Sequence, residues 1–416
     1  MNQDVRLLVC ANLNSVHTAN WLAQLRASPW QVHAFHADFR DHRAGEKLVA
    51  DGLYAHAVHI PSDFGAALTV SESVEHTAAE SRGTVRPYAL HRYHYLDNVS
   101  YLTDLIQCLR PTLIHSLAFN VNWWNLGRVV EEAMQRIDAG FRPPWLYSSW
   151  GTDLDYFARQ SPKIRGEIER QLHLCTHHLT ECKRDARLAR EMGFAGEFVG
   201  RLPAFGGIVW ETMSRFRAPA SVSKRRTLFL KGRDCEEPGG DPIGRAMTAM
   251  RAFALCADVL SGYRIVVARP TPRVAMAAKE LQQRFGLNMD IQHDMSYDAV
   301  LSTIGQSRAT LAVTINDGLP RILVEAMALG SLPVHSDLEP IAEWITNGEN
   351  GLLVPPEDVE ATANAIRHAV SDDALVEHAA TRNECLVHSH LTNEVVRPKA
   401  LAIYDRIAAS WLPAKD

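Results

Sequence analysis

Short runs rich in Val, Ile and Leu alternate along the whole chain with longer amphipathic stretches. That rhythm predicts parallel strands covered on both faces by helices. In the first half strands are expected at 5–11, 31–35, 55–60, 112–117, 145–149, 178–180 and 197–199. A second series follows at 227–231, 264–268, 289–292, 310–315, 332–335 and 351–354. Two β/α series of similar size imply an α/β chain of two Rossmann-like domains facing each other across a cleft. Pro and Gly in 203–208, then a basic, serine-containing stretch at 218–226, mark the boundary. Domains of 1–205 and 206–395 follow, and the pair Gly206-Gly207 would permit a hinge there.

Composition narrows the class. A chain of 416 residues exceeds what one core usually covers, and 46% hydrophobic with 22% charged residues is ordinary for a globular enzyme. The formal charge of −5 gives no case for nucleic acid as a partner. No apolar run approaches the roughly 20 residues that span a bilayer, which leaves peripheral membrane contact open. The N-terminus enters a strand directly without a signal-peptide pattern, and seven scattered cysteines form no disulfide framework. A reducing cytoplasm is the expected location.

The stretch Asn316–Glu325, NDGLPRILVE, carries the most chemistry. A strand-like run ends in a short turn at 317–320, and 321–329 reads as a helix. Asp317 and Glu325 flank the helix start. Ligands of parallel α/β layers bind at the C-terminal ends of strands, and helix-start amides suit phosphate. Two acids add acceptors for hydroxyls. The ligand expected here is both anionic and hydroxyl-rich, which a nucleotide-sugar satisfies.

Three segments of the second half resemble the retaining GT-B glycosyltransferases, in particular their family 4. They are 227–233, ending in a Gly-Arg pair; 316–330, with an acid and a Glu eight positions later; and 347–358, similar to the loop that closes the donor site. In the first half 14–21 and 149–153 fit more loosely. Two departures stand out: the first acid is Asp317 where the family usually has Glu, and a polar insertion at 234–241 displaces the family's Lys, for which Arg245 is the best substitute. The resemblance implies metal-independent transfer of a sugar, with retention, from a nucleotide-diphosphate sugar to a hydroxyl acceptor. The acceptor could be a glycan, a lipid-linked molecule or a small molecule. It also implies a final segment, 396–416, whose helix crosses back to the first domain. No cofactor beyond the donor and no metal is expected. A GT-B sugar-nucleotide epimerase or hydrolase, or an inactive GT-B binding subunit, are the competing readings.

By that resemblance Arg233 and Arg245, with Lys231, hold the diphosphate, where charge grows as the glycosidic bond breaks. Glu325 accepts both ribose hydroxyls, and Asp317 contacts the donor sugar beside the amides of Gly318 and Leu319, ahead of Pro320. Each has a plainer alternative: a surface cation, a helix-face charge, or an N-cap for Asp317. Asp153 reads as a base or hydroxyl-orienting group, or as an N-cap before 154–159. His17, after the first strand, reads as a contact for the acceptor or transferred sugar, or as a satisfied histidine near a helix start. Glu181 points to the same rim. Asp153-Leu-Asp155 mimics a metal-binding DxD of another architecture. Cys175, His177, His178 and Cys182 would be scattered by a helix-to-strand passage, which favours core packing over zinc. The cluster 91–95 could line an acceptor groove or form a solvated face with core tyrosines.

Overall fold

The computed structural model describes residues 5–13, 15–36, 54–57, 98–120, 125–235 and 241–411. The chain divides into two compact units, residues 1–207 with 396–416, and residues 208–395. The cluster 91–95, Asn14 and most of the insertion after Cys235 lie outside the described residues.

The first unit holds a seven-stranded sheet in the order β3-β2-β1-β4-β5-β6-β7, every pairing parallel. Its strands are β1 (Arg6–Ala11), β2 (Gln31–His36), β3 (Tyr54–Ala57), β4 (Leu113–Leu117), β5 (Trp145–Ser148), β6 (His177–Thr180) and β7 (Glu197–Arg201). The second unit holds β8 (Thr227–Lys231), β9 (Arg264–Ala268), β10 (Asn288–Gln292), β11 (Ser307–Ala312), β12 (Leu332–Ser336) and β13 (Leu352–Val354). Their order is β10-β9-β8-β11-β12-β13, again all parallel. In both sheets the direction of winding reverses between the first and fourth strands of the unit. Such a switch point opens a crevice beyond the C-terminal strand ends.

Helices cover both faces because the central strands are apolar on both sides. β4, β11 and β12 are buried at every position. One face of the first sheet packs against Val396, Ala400, Ile403, Tyr404 and Ile407 of the last helix, Asn393–Trp411. Each of Val396, Ile403 and Ile407 removed from water contributes roughly 1.5–3 kcal/mol. A polar chain ties this helix down at its middle: the Trp21 indole donates to the Tyr404 hydroxyl at 2.8 Å, and His115 bridges Tyr404 and Ser148 at 2.7 Å each. Burial holds His115 neutral, its pKa lowered to about 3.

Two local differences from the sequence reading have physical causes. β11 ends at Ala312, short of the expected 315, because the next amides find other acceptors. Thr314 N donates to Ser336 Oγ at 2.8 Å and Ile315 N to the Ile243 carbonyl at 2.9 Å, so the chain swings onto 243–244. Beyond β5, Gly151 takes φ +80° and starts a π-helical turn, Thr152–Tyr156, in place of a regular helix from 154. Gly206 and Gly207 also lie at positive φ, +73° and +83°. A Cβ on Gly206 would stand 2.5 Å from Gln24 Nε2.

Candidate functional site

In the second unit the chain leaves β8 as Lys231-Gly232-Arg233, at the switch point. Gly232 lets this turn lie against the loop after β9: a Cβ there would come within 2.8 Å of Pro270 Cα. Two backbone bonds lock the loops together, Gly232 N to Ala268 O at 2.9 Å and Thr271 N to Gly232 O at 3.0 Å. Arg233 is exposed, and among the described residues its guanidinium has no hydrogen-bond or ion-pair partner. It lines a cavity of about 480 Å³ together with Arg269, Pro270, His293, Asp294, Met295 and Ser296. A volume of this size fits a small organic ligand.

One residue past that wall, Tyr297 begins the helix Tyr297–Gln306. Its hydroxyl donates to Glu325 Oε1 at 2.7 Å. Arg321 Nε donates to the same oxygen at 2.8 Å, and its guanidinium lies 4.6 Å from the Tyr297 ring centre. Both bonds fall on Oε1, so Oε2 is outside this triad. Burial raises the Glu325 pKa, and the Arg321 charge opposes that rise. Desolvation and the Glu325 charge push the Tyr297 hydroxyl well up, so it stays a donor. The spacing of Arg321 four residues before Glu325 is a sequence signal for this pair. Nothing in the sequence links Tyr297 to Glu325, which lies 28 positions away.

The other expected donor contacts are placed more variously. Asp317 is half-buried and its Oδ1 accepts from Gly318 N at 3.0 Å, which commits the Gly318 amide. Asp317 is not the N-cap of Arg321–Leu329, because Pro320 holds that position. Leu319 is buried. Lys231 Nζ stands 3.9 Å from Asp241 Oδ2, and its charge adds to the burial that keeps His335 neutral. Arg245 does not line the cavity. Its Nε meets Glu357 Oε1 at 3.1 Å and its Nη1 meets the Gly244 carbonyl at 2.8 Å. Asp234 takes over capping by accepting from Met247 N at 2.7 Å, and Arg245 stands at the helix entry with its side chain largely covered.

In the first unit Asp153 is a brace rather than the accessible base or hydroxyl-orienting group expected. It is 1% exposed, and Oδ2 accepts from Phe119 N at 2.7 Å and from the Tyr147 hydroxyl at 3.1 Å. Nor does it cap a helix. Burial raises its pKa to about 6, against the lowering effect of those two bonds. Next to it Arg184, also buried, donates to Asp155 at 3.1 Å, to Asp185 at 2.9 Å and to the Gly151 carbonyl at 2.7 Å. The Asp153-Leu-Asp155 pair is thus divided, Asp153 onto Phe119 and Tyr147 and Asp155 onto Arg184 and the exposed Arg159. Glu181 accepts from Ala204 N at 2.8 Å and holds the 203–207 turn. His17 is half-buried at the start of Val16–Ala23, its ring 6.0 Å from that of Trp150 and edge-on to it. His178 stacks on Tyr147 and reaches Ser149 at 3.1 Å, while Cys175 is in the core. Among the described residues no group of three His, Cys, Asp or Glu side chains could hold a metal. No described helix is long and apolar enough to cross a membrane.

The paired α/β units are those of the GT-B glycosyltransferase fold. Residues 259–384 match the family Glycosyl transferases group 1, and this segment contains the cavity loop 293–296 and the Tyr297–Arg321–Glu325 triad. Over 132 residues the chain is 32% identical to an exopolysaccharide phosphotransferase of Streptomyces coelicolor, covering 31% of this chain and 14% of that protein. Over 91 residues it is 32% identical to a phosphatidyl-myo-inositol mannosyltransferase of Mycolicibacterium smegmatis, 22% of this chain and 23% of that one. The alignments therefore span less than a quarter of either relative. Among solved structures, sucrose-phosphate synthase from Thermosynechococcus elongatus superposes with a TM-score of 0.65 at 14% identity, over 98% of this chain and 100% of that one. Anabaena HepE in complex with UDP gives 0.65 at 14% identity, over 98% and 99%.

Proposed function

We propose that this protein is a family 4 glycosyltransferase that moves a sugar from a nucleoside-diphosphate sugar to a hydroxyl acceptor, with retention and without a metal ion. The observation that carries this reading is Arg233, without a partner among the described residues, on a ligand-sized cavity whose wall runs directly into the Tyr297–Arg321–Glu325 triad. An anion and a pair of vicinal hydroxyls are what such groups recognise. The nucleoside diphosphate supplies both, and HepE is a solved neighbour with UDP bound.

In this reading Glu325 presents Oε2 to the ribose, held in place by Tyr297 and Arg321 on its other oxygen. Arg233 faces the diphosphate, and Asp317 orients the transferred sugar. As the bond from the anomeric carbon to the β-phosphate oxygen breaks, negative charge gathers on that phosphate, where a fixed guanidinium stabilises the transition state more than the ground state. The acceptor oxygen bonds to the same face of the anomeric carbon, and its proton passes to the departing phosphate. The first unit, with His17 on its helix start, receives the acceptor.

The test is to incubate the full chain with a panel of nucleotide-sugars, with and without hydroxyl acceptors, and to follow nucleoside diphosphate release. Release that requires acceptor, survives chelator and gives product of unchanged anomeric configuration by NMR supports the proposal. Release without acceptor would identify a hydrolase, and donor binding without any release an inactive binding protein.

A further inference from the structure

The cavity beside Arg233 contains a group that a diphosphate does not explain. Asp294 lines it, exposed, and among the described residues makes no hydrogen bond or ion pair. An ionised carboxylate only accepts hydrogen bonds. Beside an anionic ligand it is repulsive unless the ligand turns N–H groups toward it. Its loop is also firmly held. Arg269, at φ +47°, donates its backbone N–H to the Gln292 carbonyl at 2.6 Å and its guanidinium to the Met295 carbonyl. One lone pair of the Met295 carbonyl is thereby engaged.

Nucleobases differ in the edge they can offer a carboxylate. Uracil presents one N–H between two carbonyl oxygens, which would face the carboxylate oxygens. Adenine and cytosine present an amino group beside an unprotonated ring nitrogen. Guanine alone carries two adjacent donors, the ring N1–H and the exocyclic amino group, spaced to meet both oxygens of one carboxylate. We infer that Asp294 reads the base of a guanine nucleotide, making the donor a guanosine-diphosphate sugar. This rests on the proposed donor site and names its substrate class.

Titration calorimetry of the full chain with GDP, IDP, UDP, ADP and CDP tests it. GDP should bind at least about tenfold more tightly than UDP, ADP or CDP, because a charge-assisted pair of bonds is present only with guanine. IDP, which keeps N1–H but lacks the amino group, should fall between. Asp294→Asn should weaken GDP by about tenfold or more and leave UDP within about twofold, since one oxygen becomes a donor facing a donor. Asp294 is exposed on a loop, and an unchanged melting temperature would verify that the variant folds. Equal or tighter binding of UDP, IDP matching GDP, or an equal loss for all nucleotides in Asp294→Asn would overturn the base assignment and leave the donor site standing. Failure of every nucleotide to bind the folded protein would overturn both.

Discussion

The two units share a strand order and handle their charges in opposite ways. Beyond β5 of the first unit, Asp153, Asp155, Arg184 and Asp185 are all buried and, apart from an ion pair of Asp155 with the exposed Arg159, bond to one another, to Tyr147 or to backbone. Beyond β8 and β10 of the second unit, Arg233 and Asp294 share a cavity without protein partners among the described residues. A buried charge with every partner internal stabilises a loop and is unavailable to a ligand. A charge without a protein partner, kept at a strand end, is what a ligand can meet. The same topology thus carries a braced loop in one unit and an open polar cavity in the other.

The comparison breaks first at Arg184. Arg184→Ala would leave Asp185 buried without its cation and Asp155 with only the exposed Arg159, and we expect a loss of about 3–5 kcal/mol in urea denaturation. Nucleotide affinity of the folded fraction should be unchanged; a coupled loss of affinity would mean the braced loop is part of the donor site. Glu325→Ala is the counterpart in the second unit. On the proposed function it should weaken nucleoside diphosphate binding about a hundredfold by calorimetry, since the ribose hydroxyls would lose a buried acceptor. A 2′-deoxynucleotide should bind wild type weakly and the variant no worse. The smallest effect concerns pH. Asp153 titrates near 6 in the fold and near 3.8 when unfolded, so the native state holds the extra proton between these values. Stability contributed by the protonated form is full below about pH 4 and lost as pH rises through 6, on the order of 3 kcal/mol in all. Asp153→Asn should flatten that part of the stability–pH curve, and an unaltered curve would assign the slope elsewhere.

The described strands were legible as short runs; the central ones are buried on both faces and need no alternation, whereas the edge strands β7 and β10 leave part of theirs exposed. The strand ends were less so. β11 stops early on account of Ser336 Oγ and the Ile243 carbonyl, partners 22 and 72 residues away from the amides they take. The acid-to-Glu spacing singled out Glu325, which is buried in the middle of the helix Arg321–Leu329. The spacing gave no sign that Tyr297 would hold it, since that bond is a product of packing between two helices. Asp153 shows the reverse: Gly-Thr-Asp after a strand suggests an exposed polar loop, and the π-helical turn set by Gly151 rolls the carboxylate inward onto Phe119. Asp294 carried no motif at all and emerged only from the cavity it lines.

In the proposed function Arg233 is the group that grips the second phosphate. The direct measurement compares the affinities of the tightest-binding nucleoside diphosphate and its monophosphate for wild type and for Arg233→Ala. Wild type should favour the diphosphate by about tenfold or more, as a charged hydrogen bond provides, and the variant should favour neither. A variant that keeps the full preference for the diphosphate would contradict the account.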